Sequence, residues 1–298
     1  MNDVYGIDPS APSSIEEFTQ LMRLFGVGEG RFIANFPIDW VSRFHEHIQS
    51  LSPMEQHRHL QRWIDGGRNS IVPVQAIGSF KATFGWLENS ALIKDEVVKI
   101  IGAKGCSAIA TPLNEALMNP DGFPDASGAH IERTPRAYAK AARPLMQTSS
   151  KVVLVDPYFK LRYRDIHDGN KIRYSRRHAE TLSALVTEAL KWKRVSVFCL
   201  FISNKEALID DPDESTFKSD LAEIRNRCGA PDDFFEHKLL DSNYSTDRHP
   251  RYLLGMNQGL KFDWGFDVDD QKSRGPLSTN HVEWIGRKAL EPLLKRFT

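Results

Sequence analysis

The stretch Val152-Val153-Leu154-Val155-Asp156-Pro157-Tyr158-Phe159 decides the fold that we expect for the second half of the chain. Its first four residues are aliphatic, without alternation of polar and apolar positions, which is typical of a strand covered on both faces. The strand is expected to end at Asp156-Pro157, because proline cannot donate a hydrogen bond to a neighbouring strand. A buried strand of this kind predicts a sheet with helices packed on it.

The elements on either side of this strand fit the same arrangement. Upstream, Thr134-Pro135 predicts the start of a helix that runs to about Gln147. Downstream, apolar stripes at spacings of three and four predict helices near 175–192 and 215–228. Apolar or alternating runs predict strands at Val195–Ile202, Phe234–Leu240, His249–Leu254 and Leu260–Phe266. Ser278-Thr279-Asn280 predicts the cap of a closing helix, which would contain Val282, Ile285 and Ala289. The predicted fold class of residues 126–298 is therefore α/β, with a mixed sheet covered by helices.

Residues 1–125 are predicted to form a mainly helical region. Ser14-Ile15-Glu16-Glu17 fits a capping box, and Phe18, Met22 and Phe25 continue an apolar stripe at helical spacing. The turn-forming run from Asn119 to Asp125 predicts the boundary with the α/β unit. Nothing in this region points to a chemistry, so we expect it to regulate the protein or to bind a protein partner.

Composition limits the classes of partner. The 298 residues hold 39 basic and 39 acidic side chains, so affinity for an anion must come from a local patch. No run is long and apolar enough to span a bilayer, and the start of the sequence does not resemble a secretion signal. Three widely spaced cysteines predict neither a disulfide framework nor a zinc knuckle, and favour a reducing cytoplasm. Residues two apart point to different sides of a helix, so neither His45/His47 nor His57/His59 can converge on one ion without ligands from elsewhere. No cofactor and no metal is expected.

The segment His249-Pro250-Arg251-Tyr252-Leu253-Leu254 and the return Phe262-Asp263-Trp264-Gly265-Phe266-Asp267 carry a family resemblance. With the Asp-Pro-Tyr-Phe strand end and the order of elements, they resemble one half of the phospholipase D-like superfamily. They are also similar to the phospholipase D-like domain at the C-terminus of certain microtubule-interacting-and-transport domain proteins, in which catalysis is thought to be absent. The resemblance covers about half the chain.

Two residues of this segment are candidates for contact with a phosphodiester. His249 and Arg251 are two apart on a predicted strand, so they share a face, and Pro250 indicates an edge or mouth of the sheet. An imidazole beside a permanent cation suits phosphate chemistry. The resemblance implies that His249 is the nucleophile and Arg251 the phosphate clamp. The alternative is structural, with the pair bound to Asp241, Asp247, Asp263 or Asp267.

The motif departs from that of active members at two points. Arg251 stands in the place of a lysine, and Met256 in that of an aspartate, with Asn257 as the nearest polar substitute. The chain also holds a single motif, so a complete catalytic site would need a homodimer.

A basic segment follows the Asp-Pro-Tyr-Phe strand end. It is interleaved with Tyr158, Tyr163 and Tyr174 and contains Lys160, Arg162, Arg164, Lys171, Arg173, Arg176 and Arg177, opposed by Asp165 and Asp168. Basic residues with aromatic neighbours predict binding to a nucleic-acid backbone. A solvated loop and a surface for anionic lipid headgroups are alternatives, and the membrane surface is the less favoured partner.

Taken with the resemblance, these residues predict a protein that engages nucleic acid or another phosphodiester. Two versions stay open. One is a metal-independent nuclease or an effector of prokaryotic antiviral defence, by analogy with similar architectures. The other is a non-catalytic binding or scaffold subunit of a larger complex.

Overall fold

A computed structural model describes residues 3–26, 29–51, 70–103, 109–119, 128–161, 163–167, 171–175, 177–203, 214–240, 251–268 and 278–297. The chain divides into two compact units, Asn2–Ser127 and Gly128–Thr298. Both contain strands and helices, so the protein belongs to the α/β class. Among the described residues, no helix has the length and apolar character needed to cross a membrane.

The N-terminal unit is built on a parallel sheet of five strands in the order β3-β2-β1-β4-β5. The strands are β1 (Asp3–Ile7), β2 (Arg31–Ala34), β3 (Ile71–Val72), β4 (Lys99–Gly102) and β5 (Thr111–Pro112). The helices are α1 (Ile15–Leu24), α2 (Trp40–Leu51), α3 (Trp86–Ser90) and α4 (Leu113–Met118), with a 3₁₀ turn at Ala91–Ile93.

The prediction of a mainly helical N-terminal region was wrong, because it did not include this sheet. The described strands are only two to five residues long. Strands buried on both faces carry no polar–apolar alternation. The four residues of Arg31–Ala34 are all buried, and the sequence pattern of so short a run cannot be distinguished from that of a helix end. Local sequence patterns therefore predicted α1 but not the sheet on which it packs.

The predicted helix start at Ser14 is confirmed, with a shift of one residue in the reciprocal bond. The Ser14 hydroxyl accepts from the Glu17 backbone N–H at 3.2 Å. The Glu17 carboxylate accepts from the backbone N–H and hydroxyl of Ser13, not of Ser14. Phe18 and Phe25 from the predicted stripe are buried in the core of this unit.

The C-terminal unit contains a mixed sheet of seven strands in the order β11-β10-β7-β12-β13-β14-β6. The strands are β6 (Ala129–Glu132), β7 (Lys151–Val155), β10 (Val197–Ser203), β11 (Phe235–Leu240), β12 (Arg251–Leu254), β13 (Gly259–Phe262) and β14 (Thr279–Ile285). β7, β10 and β11 are parallel, whereas β12, β13, β14 and β6 join by antiparallel pairing. A separate antiparallel hairpin joins β8 (Tyr163–His167) to β9 (Lys171–Ser175).

Helices cover both faces of this sheet. They are α5 (Pro135–Thr148), α6 (Arg177–Trp192), α7 (Glu214–Cys228) and α8 (Arg287–Phe297). Val152 and Leu154 of β7 pack with α5, α6 and α7, whereas Val153 and Val155 pack with Phe297 of α8. The prediction of a strand buried on both faces is therefore confirmed. The predicted cap of α5 is also present, because the Thr134 hydroxyl accepts from the Ala137 backbone N–H at 3.2 Å.

The predicted closing helix was placed wrongly. Thr279–Ile285 is strand β14, and the helix begins only at Arg287 and contains Pro292. In β14 the buried residues Asn280 and Val282 alternate with more exposed ones, a period of two that tertiary pairing with β13 and β6 stabilises. The Ser278-Thr279-Asn280 segment does not cap a helix. The side chain of Asn280 instead forms hydrogen bonds with the backbone of Trp264.

Candidate functional site

The candidate site lies where β7 ends and β12 begins. These strands are antiparallel neighbours, and Val155 pairs with Tyr252, so the next residues, Asp156 and Arg251, come side by side. The carboxyl ends of parallel strands are the usual ligand-binding edge of an α/β sheet. Of the two predicted motif residues, Arg251 is described, whereas His249 lies outside the described residues. The structure therefore gives the geometry of the arginine alone.

Three contacts fix the side chain of Arg251. Its Nη1 donates to the backbone carbonyl of Asp263 at 2.8 Å, and its Nε lies 3.8 Å from Oδ1 of Asp156. Its guanidinium carbon stands 5.2 Å from the centre of the Tyr158 ring, within the range of a cation–π contact. The side chain is 19% exposed, and Nε is buried without a hydrogen-bond partner. The guanidinium is thus fixed in position, and the side chain as a whole is still partly exposed.

Asp156 is the buried carboxylate that organises this edge. It is fully buried, and Oδ1 accepts from the backbone N–H of Tyr158 at 2.9 Å in a turn of the kind Asp forms with its own backbone. Oδ2 accepts from the backbone N–H of Phe266 at 3.3 Å. A buried carboxylate needs such donors and a nearby cation, because desolvation would otherwise be too costly. The Asp-Pro-Tyr-Phe stretch therefore closes β7 and also presents a charge to Arg251.

His178, the second residue of α6, completes the buried part of the cluster. Its Nε2 lies 3.8 Å from Oδ2 of Asp156, and its ring packs 4.8 Å from that of Phe159. Its Nδ1 lies within hydrogen-bond distance of the backbone N and O of Lys160. Burial lowers the pKa of His178, and this outweighs the opposing effect of Asp156. The imidazole is therefore neutral near pH 7 and closed to solvent.

A second ion pair lies beside the cluster, in the return after β13. Asp267 pairs with Arg133 at 2.5 Å. The Tyr138 hydroxyl lies 3.0 Å from the carbonyl of Gly265 and 3.2 Å from that of Asp267. Each of the two carboxylates near the neutral His178 therefore has a guanidinium beside it, Arg251 for Asp156 and Arg133 for Asp267. Affinity for an anion must come from the outward edge of Arg251 and from basic residues around it.

Gly265 marks a close approach in this cluster. A methyl group at Gly265 would lie 3.2 Å from Oδ2 of Asp156, 3.4 Å from Oδ1 of Asp267 and 3.6 Å from Nε2 of His178. Such distances are tight for a carbon beside buried polar groups whose positions are fixed by hydrogen bonds. Glycine is therefore the residue that lets the return after β13 close over both carboxylates.

The rim beside Arg251 carries aromatic and imidazole side chains. Trp264 is 60% exposed, although it directly follows the residue whose carbonyl holds Arg251. The Asp263 carboxylate lies 3.3 Å from Nδ1 of His281, and the ring of His281 packs at a tilt against that of His130, with ring centres 5.0 Å apart. Among the described residues, no set of three or more His, Cys, Asp or Glu side chains is arranged to hold a metal ion.

The predicted basic segment contains the hairpin β8–β9. Its backbone register pairs Arg164 with Tyr174, Asp165 with Arg173, and His167 with Lys171. Arg177 begins α6, and Lys160 contacts His178 through its backbone. Arg162 and Arg176, like Asp168, lie outside the described residues. Part of the segment is therefore strand, where an irregular loop was expected.

The structure does not bring Asn257 to Arg251. Asn257 lies in the turn between β12 and β13, beyond the opposite end of β12. The four residues of β12 alone span about 10 Å. Arg251 and Asn257 therefore lie at opposite ends of β12, and a role for Asn257 stays a prediction.

The structural alternative for Arg251 named the carboxylates of Asp241, Asp247, Asp263 or Asp267 as its partners. Asp263 contributes its carbonyl, whereas the carboxylate nearest to Arg251 is Asp156. Asp267 bonds to Arg133 instead, and Asp241 and Asp247 lie outside the described residues. The sequence held a signal for Asp156, an acidic residue directly after a buried strand. It held little for His178, Asp267 and Arg133, which only the folded chain assembles.

The chain was compared with protein-family models, with curated proteins and with solved structures. No protein-family model matches the chain. No curated protein matches it either. One solved structure found by shape is that of TrmBL2, described as an archaeal chromatin protein with a novel mode of DNA binding. It is similar over 62% of this chain and 56% of that chain, with 12% identity and a TM-score of 0.29. Similarity at this level establishes neither a shared fold nor a shared function.

Proposed function

We propose that the C-terminal unit is a phospholipase D-like domain that binds the phosphodiester backbone of nucleic acid at Arg251. The observation that carries the proposal is the fixed guanidinium of Arg251, which is braced by Asp156, Asp263 and Tyr158 and is still partly exposed. An arginine whose pose is set before binding loses little side-chain entropy when it meets a phosphate.

The location supports the proposal independently of the motif. Arg251 lies at the carboxyl edge of the parallel strands, and the basic segment 160–177 begins at the same strand end. Because Asp156 offsets part of the charge of Arg251, the attraction for a polyanion requires the cations of the basic segment as well as Arg251. Lys160 is tied to the cluster through its backbone contact with His178, so the segment starts beside the site.

Binding to a fluorescein-labelled 20-nucleotide strand of thymidine tests this function. We expect affinity to fall steeply as NaCl rises, because bound phosphates release counterions. Arg251→Gln should weaken binding several-fold, whereas Lys151→Gln, which removes a charge at the other end of β7, should not. If Arg251→Gln fails to fold, Arg251→Lys keeps the charge without the planar fork and should still weaken binding. Binding unchanged in Arg251→Gln and in a variant with Arg173 and Arg177 neutralised would overturn the proposal.

A non-catalytic role is favoured by one observation. His178, the histidine closest to Asp156, is 1% exposed and neutral, so it cannot donate a proton to a bound ligand. Catalysis of the phospholipase D-like type would depend on His249 and on a second copy of the chain in a homodimer. Placement in antiviral defence rests on analogy between architectures.

A cleavage assay separates the enzyme from the binding module. The nuclease version predicts cleavage of a labelled strand in EDTA that disappears in His249→Ala. The binding version predicts intact strands under all conditions, with affinity that still depends on Arg251. Cleavage that persists in His249→Ala would exclude His249 as the nucleophile.

A further inference from the structure

The indole of Trp264 is an exposed aromatic surface on the residue that directly follows Asp263, whose carbonyl binds Arg251. It is 60% exposed, and the other large apolar side chain described as exposed in this unit is Met256 at 52%. Exposed tryptophans are uncommon because the indole is the largest apolar side chain, and a fixed exposed one is a feature of surfaces that bind ligands.

Trp264 is exposed although its backbone is firmly held. Its N–H donates to Oδ1 of Asn280 at 3.0 Å, and its carbonyl accepts from Nδ2 of the same residue at 3.1 Å. Asn280 is fully buried in β14, and its Nδ2 also lies 3.1 Å from the Tyr138 hydroxyl. The buried amide therefore fixes the turn that carries the indole, so the exposure is a property of the folded turn.

The same turn fixes Arg251. The carbonyl that accepts from Nη1 of Arg251 belongs to Asp263, the residue directly before Trp264. Arg251 also packs on Tyr158, which adds a second aromatic ring to the same edge. The turn at Asp263 and Trp264 therefore both fixes a cation that can bind phosphate and carries an aromatic ring that can stack on a base. Proteins bind single strands with this combination of groups.

We propose that this site takes single-stranded nucleic acid, with Arg251 on a backbone phosphate and a base stacked on Trp264. The proposal rests on the proposed function and names its substrate class. In a duplex both faces of each base are already stacked, so an exposed indole gains a partner only from an unpaired strand.

Three 20-mer probes test the proposal with the full chain: single-stranded oligothymidine, an abasic strand with the same number of phosphates, and a duplex. We expect the wild-type protein to bind oligothymidine about 5- to 150-fold more tightly than the abasic strand, the range for one stacked base. Trp264→Ala should abolish that preference while binding to the abasic strand stays unchanged. Met256→Ala, which removes a similarly exposed apolar side chain beyond the opposite end of β12, should keep it.

The outcomes separate this inference from the function on which it rests. Equal affinity for oligothymidine and the abasic strand, with loss in Arg251→Gln, would overturn stacking and leave phosphate binding intact. Failure to bind all three probes would overturn the proposed function itself. Tighter binding to the duplex would overturn single-strand specificity. If Trp264 is instead needed for cosedimentation with phosphatidylserine vesicles and no probe binds, the surface is a membrane contact and both proposals fail.

Discussion

Nε of Arg251 lies 3.8 Å from Oδ1 of the fully buried Asp156, at the point where two antiparallel strands bring their ends together. The pair faces Tyr158 on one side and a backbone carbonyl on the other. This relationship makes the arginine rigid and gives the carboxylate a compensating charge. The stability of the C-terminal unit and the geometry of its candidate site therefore depend on the same two residues.

Asp156→Asn should destabilise the C-terminal unit. The substitution removes the charge beside Arg251 and places an amide where two backbone N–H groups now find an acceptor. We expect the free energy of unfolding to fall by about 2–4 kcal/mol. The change is measured by urea unfolding, with hydrogen exchange in peptides that contain β7 as the probe of the unfolded fraction. Asp232→Asn, at an aspartate that is 96% exposed beside Arg225, is the matched control and should have no measurable effect.

Gly265→Ala should also destabilise this unit, by about 1–3 kcal/mol, because the added methyl group overpacks a site lined by fixed polar atoms. Hydrogen exchange in peptides of α6 should report the loss. Gly78→Ala is a suitable comparison, since its methyl group meets the end of the flexible Leu92 side chain at 3.2 Å. Equal stability of Gly265→Ala and wild type would show that the return after β13 shifts freely.

The C-terminal unit should lose stability as the pH falls below about 6.5, the ordinary pKa of histidine. Burial lowers the pKa of His178 in the folded state, so the unfolded chain takes up a proton at a higher pH than the folded chain does. Stability from this group is complete above pH 6.5 and decreases as the pH falls toward the folded pKa. Thermal unfolding measured from pH 5 to 8 should give a melting temperature that depends less steeply on pH in His178→Gln than in the wild type. That variant should be less stable at every pH. The same slope in both proteins would contradict this origin.

Cys199 should resist alkylation in the folded protein. Burial raises the pKa of its thiol to about 11, which leaves little thiolate at pH 8. Cys228 is less buried. Iodoacetamide labelling followed by peptide mass spectrometry should therefore modify Cys228 first, and both cysteines equally in urea. Labelling of Cys199 as fast as Cys228 in the native protein would contradict the prediction.

Local patterns were most reliable where one element carries its own signal. The caps at Ser14 and Thr134 and the strand after Ser150 follow from neighbouring residues, and all three are present. Thr279–Ile285 was misread because a polar run after a serine satisfies the rules for a helix cap as well as those for a strand. Pairing with β13 and β6 decided between them.

The sequence by itself determined the α/β class of the C-terminal unit, the position of β7 and the presence of a strand that ends at Leu254. It could do so because periodicity and capping act over a few residues. Only the tertiary structure joined Arg251 to Asp156, placed His178 and Gly265 against that carboxylate, separated Asn257 from the site and assembled the short parallel strands of the N-terminal unit. Those outcomes depend on pairing and burial between distant segments, whose energies no local pattern contains.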